Sequence, residues 1–337
     1  MIDVAAGILV DAHGRVLLMQ RLPGKHLAGL WEFPGGKVEP DETAEQALVR
    51  ELDEELGIEV RAAAPLISLP WHYPETSVRL HAWRVGEWLG EPRAREGNPL
   101  RWTALHDIDS AAMPPADVPI VTALRLPPYY VIFAPDGAHP EIGVAKAPNG
   151  AANPLTPTLS PSGRGRQPRS AWRVRGGAAT NALWQLRIPD ASRAEAKRVA
   201  RQALEVDPSL RGTLLINHDI GIARELRVGV HLKAPQLREL RERPLPQEAW
   251  VAASCHGAGE LELAARLGVD FATLSPVQAT ASHPDAEPLG WARFARLVAD
   301  ARLPVYALGG VGPGNLARAR GAGAQGVAGI QAFRSCL

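Results

Sequence analysis

GGKVEPDETAEQALVRELDEELGI, residues 35–58, is the stretch on which the reading of this chain turns. Thr43 followed three residues on by Gln46 is the signature of a capping box, in which each side chain satisfies a backbone N–H at a helix start. Ala44, Leu48, Leu52 and Leu56 recur every fourth residue, the period of an apolar stripe on an α-helix. Gly57 suits the turn that ends it. At ~100° per residue, Glu51, Glu54 and Glu55 share an arc of roughly 100° beside that stripe. Carboxylates so close repel one another unless a cation neutralises them. Hard oxygen donors in that number suit Mg²⁺, with Mn²⁺ as a substitute, ions that bind carboxylates together with substrate phosphates. A bare acidic run is usually a solvated helix face. Here Gly35-Gly36 precedes the run and Arg50 stands inside it, and both argue for a site.

Composition narrows the class. The 337 residues, 46% hydrophobic and 22% charged, are enough for two domains. A net charge of +1 supplies no global field toward duplex nucleic acid or a membrane surface. The two cysteines, Cys255 and Cys336, give neither a disulfide framework nor a zinc spacing. The opening MIDVAAGILVDAHGRVLL is interrupted by Asp11, His13 and Arg15, so it reads as neither signal peptide nor membrane span. A reduced, cytoplasmic protein is the expectation, with the oligomeric state left open.

Working outward, VAAGILV and RVLLMQR flank the turn-forming Asp11-Ala12-His13-Gly14 and predict a β-hairpin, with Arg21 at the end of its second strand. Trp31 and Phe33 precede a Pro-Gly-Gly bend whose glycines let backbone approach a ligand closely. Strands are expected at 66–70 and 78–85, the latter alternating Val78, Leu80, Ala82 and Val85 with Arg79, His81 and Arg84. Glu96 lies in a polar loop, and 120–126 predicts a short helix stopped by Pro127-Pro128.

The pattern G-x5-E-x7-R-E-U-x-E-E-x-G-U, with U bulky and apolar, is met at every fixed position by Gly36, Glu42, Arg50, Glu51, Leu52, Glu54, Glu55, Gly57 and Ile58. On these residues the chain resembles the Nudix hydrolases, which cleave nucleoside diphosphates linked to another group. HLAGLWEFPGGK, GEPRAREGNPLRW and MPPADVPIV resemble, in order and spacing, the MutT-type 8-oxo-dGTP diphosphatases of that family. The resemblance implies an α/β/α sandwich with a mixed sheet over residues 1–127. It implies metal ligands at Glu51, Glu54, Glu55, Glu96 and the carbonyl of Gly35, with Glu51, Glu54 and Arg50 as the catalytic set. It places Arg21 near the phosphates and purine, Phe33 near the base, and Asp117 where the family commonly has an asparagine reading the purine edge. An ionised carboxylate only accepts hydrogen bonds, whereas an amide also donates; a protonated Asp could do both. Taken singly, Arg21 is equally a strand-end arginine, Phe33 a core aromatic, Glu96 a solvated acid and Asp117 a helix N-cap.

Beyond 128 the pattern changes. Tyr129-Tyr130-Val131-Ile132-Phe133 reads as a buried strand. Residues 135–180, rich in Pro, Ser, Gly and Arg around 153–177, predict a disordered insert. From Leu183 strands and helices alternate: LWQLRI, a helix over 192–204, TLLI, a short helix to Leu226, VGVHL, AWVAAS, a helix over 259–267, VDFATLS, a helix over 291–301, VYALGG and GVAGI. With the strand at 129–133 this makes eight strands, as in a (β/α)8 TIM-type barrel over 128–337, the insert replacing the first helix. On QLR at 185–187, LLIN at 214–217, GVHL at 229–232, Ser254-Cys255-His256, SPVQAT at 275–280 and ALGGV with Asn315, this half resembles thiamine-phosphate synthase and the related thiazole tautomerase. The synthase pattern is broken: His218 and Gln236 stand where it has metal-binding aspartates, and Pro189 and His283 where it has lysines. His256 matches the tautomerase's histidine position.

The expected function is therefore Mg²⁺-dependent hydrolysis of a nucleotide substrate, 8-oxo-dGTP to the monophosphate and pyrophosphate, which clears oxidised nucleotides before DNA synthesis. Two rivals stand beside it: a Nudix hydrolase of another nucleotide diphosphate derivative, and a thiamine-precursor binding or tautomerase barrel as the working part. No direct partnership with duplex nucleic acid or a membrane is expected.

Overall fold

Strand β1 (Ile2–Leu9) shows how the first half is built. Its side chains alternate between two cores: Ala5 and Leu9 enter one, Ala6 and Ile8 the other. That period of two marks a strand buried on both faces. These observations come from a computed structural model describing residues 1–133, 182–280 and 286–330. The chain forms two compact units, Met1–Arg125 with Ala299–Pro304, and Leu126–Val298 with Val305–Leu337.

In the first unit, the turn after β1 forms as expected. The Asp11 carboxylate accepts from the backbones of His13 and Arg15 at 2.9 and 2.8 Å. The hairpin itself does not form. A single antiparallel bridge, Val10 to Val16, joins the arms before β1 and β2 (Arg15–Gln20) part into different sheets. A strand has two edges, and both of β1's are already paired. β3 (Trp31–Glu32) instead lies on β2, while β4 (Gly35–Lys37) takes one edge of β1.

Helix α1 (Ala44–Leu56) follows, its apolar side at Ala47, Leu48, Leu52 and Leu56, all at 0% exposure. Ala44, expected to open that stripe, is only half-buried, and Ala47 takes its place. β5 (Glu59–His72) and β6 (Ser77–Leu89) exceed the apolar stretches that announced them. Register shifts at Val60/Ala62, Ala62/Ala63 and Pro65/Ile67 break the alternation of β5, so its first half carries no strand signature. β7 (Leu100–Ala104) pairs with β2, and α2 (Val118–Arg125) closes the unit, starting two residues before and ending one residue before the expected 120–126. The mixed sheet β4-β1-β6-β5 and the antiparallel sheet β3-β2-β7 thus lie between α1 on one core and α2 on the other.

The second unit is a closed barrel of eight parallel strands. They are β8 (Tyr129–Phe133), β9 (Ala182–Leu186), β10 (Leu214–Asn217), β11 (Gly229–Leu232), β12 (Val251–Cys255), β13 (Phe271–Leu274), β14 (Val305–Ala307) and β15 (Gly326–Gly329). Between them run α3 (Arg193–Val206), α4 (Ile220–Leu226), α5 (Gln236–Glu239), α6 (Ala258–Arg266), α7 (Gly290–Ala299) and α8 (Leu316–Gly321). The sequence pattern does not announce α5 and α8, which are too short to show a period. The insert at 135–180 and His283 lie outside the described residues. Among the described residues no helix is long and apolar enough to cross a membrane.

Candidate active site

The site begins at a close approach of backbone to helix. Gly35 has φ 141°, and a β-carbon there would collide with the carbonyl of Ala5 on the neighbouring strand. A β-carbon at Gly36 would run into the carboxylate of Glu51. Two glycines in a row therefore let β4 lie directly under the acidic side of α1. The Gly35 amide donates to Glu55 Oε2 at 2.8 Å. The helix is fixed in register by its cap: Thr43 Oγ1 accepts from Gln46 N at 3.2 Å, and Gln46 Oε1 from Thr43 N at 2.7 Å.

Arg50 ties the acids together. Its Nη2 donates to Glu42 Oε1 at 2.7 Å and to the Lys37 carbonyl at 3.0 Å, and Nη1 donates to Glu51 at 3.0 Å and Glu54 at 3.1 Å. Those bonds, with Glu42 first, raise the Arg50 pKa further above its ordinary value. They hold Glu42 below the usual carboxylate range. For Glu51 burial outweighs the arginine's attraction and the pKa rises. Glu55 is pushed up to about 8, first by burial and then by the charges of Glu51, Glu32 and Glu96, against the Gly35 hydrogen bond. Among the described residues no three His, Cys, Asp or Glu side chains close on a point as a ready metal cage. Arg50 and the Gly35 amide instead engage Glu51, Glu54 and Glu55. The donor set still fits a hard divalent ion. It is all-oxygen, and the neighbouring charges of Glu51, Glu32 and Glu96 add to burial in lifting Glu55.

Glu96 is exposed and arrives on a loop pinned to the end of α1, where the Arg93 and Arg95 amides bond the carbonyls of Leu56 and Glu55 at 3.0 and 2.9 Å. Arg21, just past β2, bonds the His26 carbonyl at 2.6 Å and pairs with Glu32. Phe33 is 4% exposed and packs with Ala6, Ile8, Leu18 and Ile120, so it is a core side chain as well as a neighbour of the site. Asp117 precedes α2, and its carbonyl accepts from Val121 N at 3.1 Å. Its carboxyl is buried, and burial, then the charge of Glu32, hold its pKa well above the usual range against Arg21. That shift favours the protonated form, and a protonated carboxyl can donate as well as accept.

Sequence reasoning missed Glu32 and Tyr73. Both are electrostatic neighbours of Arg21, and Tyr73 also of Asp117. The Tyr73 hydroxyl is bonded by the Ala116 backbone, and its ring meets His26 edge-on at 5.3 Å between centroids. Glu32 carried a signal, since it stands between Trp31 and Phe33 on the strand leading to the glycines. Tyr73 carried none, because only the β5–β6 hairpin brings it there.

In the barrel a cavity of about 1460 Å³ is lined by Arg187, Asn217, His218, Lys233, Ser254 and His256, among others. Both polar atoms of the Gln236 amide are engaged within the protein. Its Oε1 accepts from Lys233 N at 2.9 Å and its Nε2 donates to the His218 carbonyl at 3.0 Å, stapling two loops. His231 is buried between Tyr130 Oη at 2.9 Å and Ser254 Oγ at 2.8 Å, and burial lowers its pKa to about 3.

Comparison with known proteins follows the same division. A NUDIX domain model matches residues 5–123, and a thiamine monophosphate synthase model matches residues 173–333. The 8-oxo-dGTP diphosphatase of Haemophilus influenzae is 42% identical over 124 residues, 37% of this chain and 91% of that protein. The CTP pyrophosphohydrolase of Escherichia coli is 44% identical over 126 residues, 36% of this chain and 90% of that protein. A putative thiamine-phosphate synthase 2 of Aquifex aeolicus is 32% identical over 150 residues, 44% of this chain and 81% of that protein.

Proposed function

We propose that this chain, which belongs to the Nudix hydrolases through residues 5–123 and carries a thiamine-phosphate-synthase-like barrel after them, converts 8-oxo-dGTP to the monophosphate and pyrophosphate. The coarser activity, hydrolysis of a nucleotide derivative, goes with the family. We take residues 1–127 as the hydrolase domain and 128–337 as the barrel. The observation that carries the reading is the acidic side of α1, with Glu51, Glu54 and Glu55 gathered over Gly35-Gly36 by Arg50 and the Gly35 amide.

Glu51, Glu54, Glu55, Glu96 and the Gly35 carbonyl would hold Mg²⁺, or Mn²⁺ in its place. When bound, the ion supplies charge neutralisation on the triphosphate and a more acidic water. The chain's own residues do the rest. Arg50 holds Glu51 and Glu54 in fixed orientation by charge-assisted bonds. One of these two carboxylates takes the proton of the water that attacks phosphorus, as the bond between the α- and β-phosphoryl groups breaks. Arg21, partly exposed, faces the phosphates, and Phe33 backs the base.

Asp117, with its raised pKa, supports a purine reading without an asparagine. A neutral carboxyl donates to O6 and accepts from the N7–H that 8-oxoguanine has and guanine lacks. The same donor–acceptor pair matches N3 and the 4-amino group of cytosine. This, with the CTP pyrophosphohydrolase among the relatives, makes CTP the second candidate. Turnover of the purified chain with Mg²⁺ over 8-oxo-dGTP, dGTP and CTP separates them. The first reading requires kcat/KM to be highest for 8-oxo-dGTP, and a maximum at CTP would establish the second.

A further inference from the structure

Helix α1 carries its acids at the wrong end. The C-terminus of a helix bears about half a negative charge, and cations are favoured there. α1 has no basic residue in its last turn and ends instead on Asp53, Glu54 and Glu55. The missing cation comes from the loop that bears Glu96. Arg95 Nη1 donates to the Asp53 carbonyl at 2.9 Å and to its carboxylate at 3.3 Å. The guanidinium lies where a side chain at position 57 would be: a β-carbon on Gly57 would stand 2.6 Å from Arg95 Nε and 2.8 Å from Nη2. Gly57 therefore has two reasons to be glycine, its φ of 70° and this seat. At the loop's other end Asn98, 8% exposed, donates to the Gln20 carbonyl at 3.1 Å. Glu96 sits between the two anchors, within electrostatic reach of Glu55.

We propose that Arg95 is a positioning residue of the metal site: seated on Gly57 and bonded to the end of α1, it docks the loop so that Glu96 joins Glu55 around one cation. The proposal rests on the function proposed above. It assigns to an arginine that touches neither metal nor substrate a defined share of the site's affinity for metal.

The test uses the full chain and two readouts, Mn²⁺ binding followed by the paramagnetic signal of free Mn²⁺, and hydrogen exchange at the amides of residues 93 and 95. Arg95→Ala is expected to raise the Mn²⁺ dissociation constant about tenfold (~1.4 kcal/mol) and to speed exchange at those two amides. The Gly35 amide, bonded to Glu55, should keep its protection. Arg95→Lys keeps a charge and a donor and is expected to stay within about threefold of wild type. A role confined to helix capping would lower the melting temperature and leave Mn²⁺ affinity alone; a change below about threefold in Arg95→Ala overturns the proposal.

Should Arg95→Ala not fold, Gly57→Asn serves instead. Asn tolerates the left-handed backbone while its β-carbon occupies the seat. It is expected to cost the same affinity, and adding Arg95→Ala to it should cost little more; full additivity overturns the proposal. The parent reading is checked separately by Glu54→Gln. If wild type binds no Mn²⁺, or Glu54→Gln binds it as well as wild type, the metal site itself is wrong and this proposal falls with it.

Discussion

Glu54 and Asp117 are both carboxylic acids, and they sit in different surroundings. The Glu54 side chain is 55% exposed and paired with Arg50, which leaves it open to a cation or a water proton. Glu54→Gln should leave the fold intact and lower kcat by ~10²–10⁴, the usual share of a general base; hydrolysis within a few-fold of wild type would remove Glu54 from the site. Asp117 is buried and its pKa is well raised, which favours the protonated form that the proposed reading of the base uses as donor and acceptor. Asp117→Asn should therefore preserve the preference for 8-oxo-dGTP over dGTP. Asp117→Leu, which removes both functions, should weaken that preference by ~1–3 kcal/mol. Unchanged ratios in both variants would leave Asp117 a helix-capping residue. Spacing alone exposed Glu54, because an i, i+3, i+4 set needs only a helix to converge. The state of Asp117 was not legible, since it depends on Glu32, Arg21 and the packing around them, all supplied by tertiary structure.

Helix α1 is the element whose chemistry and stability are coupled. Its start and end were readable because capping is local: Thr43 with Gln46 and the left-handed Gly57 form the bonds their spacing implies. Leu52, at 0% exposure, holds the helix to the sheet, and Leu52→Ala should cost ~2–5 kcal/mol in a denaturation measurement. The acidic side has a pH signature. Folding raises Glu55 from an ordinary 4.5 to about 8, so the metal-free fold has this group's full contribution below 4.5 and loses it as pH rises through 8. Glu51 shifts in the same direction. The melting temperature without metal should therefore fall across that window, while the rise produced by Mg²⁺ should grow. Glu55→Gln should flatten both trends, and a flat profile in wild type would contradict the assigned environment of Glu55. The β1–β2 hairpin failed as an expectation for a reason no local pattern holds: β4 and β6 claim both edges of β1.

Across the whole molecule, chemistry and frame are unevenly kept. The first unit has every fixed residue of its motif, whereas the barrel keeps eight parallel strands and a cavity of about 1460 Å³ but departs from the pattern that its resemblance to the synthase implies. The barrel was legible because buried parallel strands read as short apolar runs at regular intervals. Thiamine phosphate formation expels pyrophosphate, whose charge needs a metal and basic groups as the bond breaks. His218 and Gln236 stand where the resemblance to the synthase implies carboxylates, and Gln236 bonds the Lys233 amide and the His218 carbonyl. The full chain, given the thiazole phosphate and pyrimidine diphosphate with Mg²⁺, should form no thiamine phosphate; product formed in proportion to enzyme would reverse that assignment. The central claim concerns the first unit, and one measurement reaches it most directly: hydrolysis of 8-oxo-dGTP, dGTP and CTP by the full chain, with Mg²⁺, after chelation, and after Mg²⁺ is restored. The predicted result is monophosphate and pyrophosphate formed fastest from 8-oxo-dGTP, lost on chelation and regained with the metal; no hydrolysis of any of the three, or hydrolysis indifferent to chelation, would contradict it.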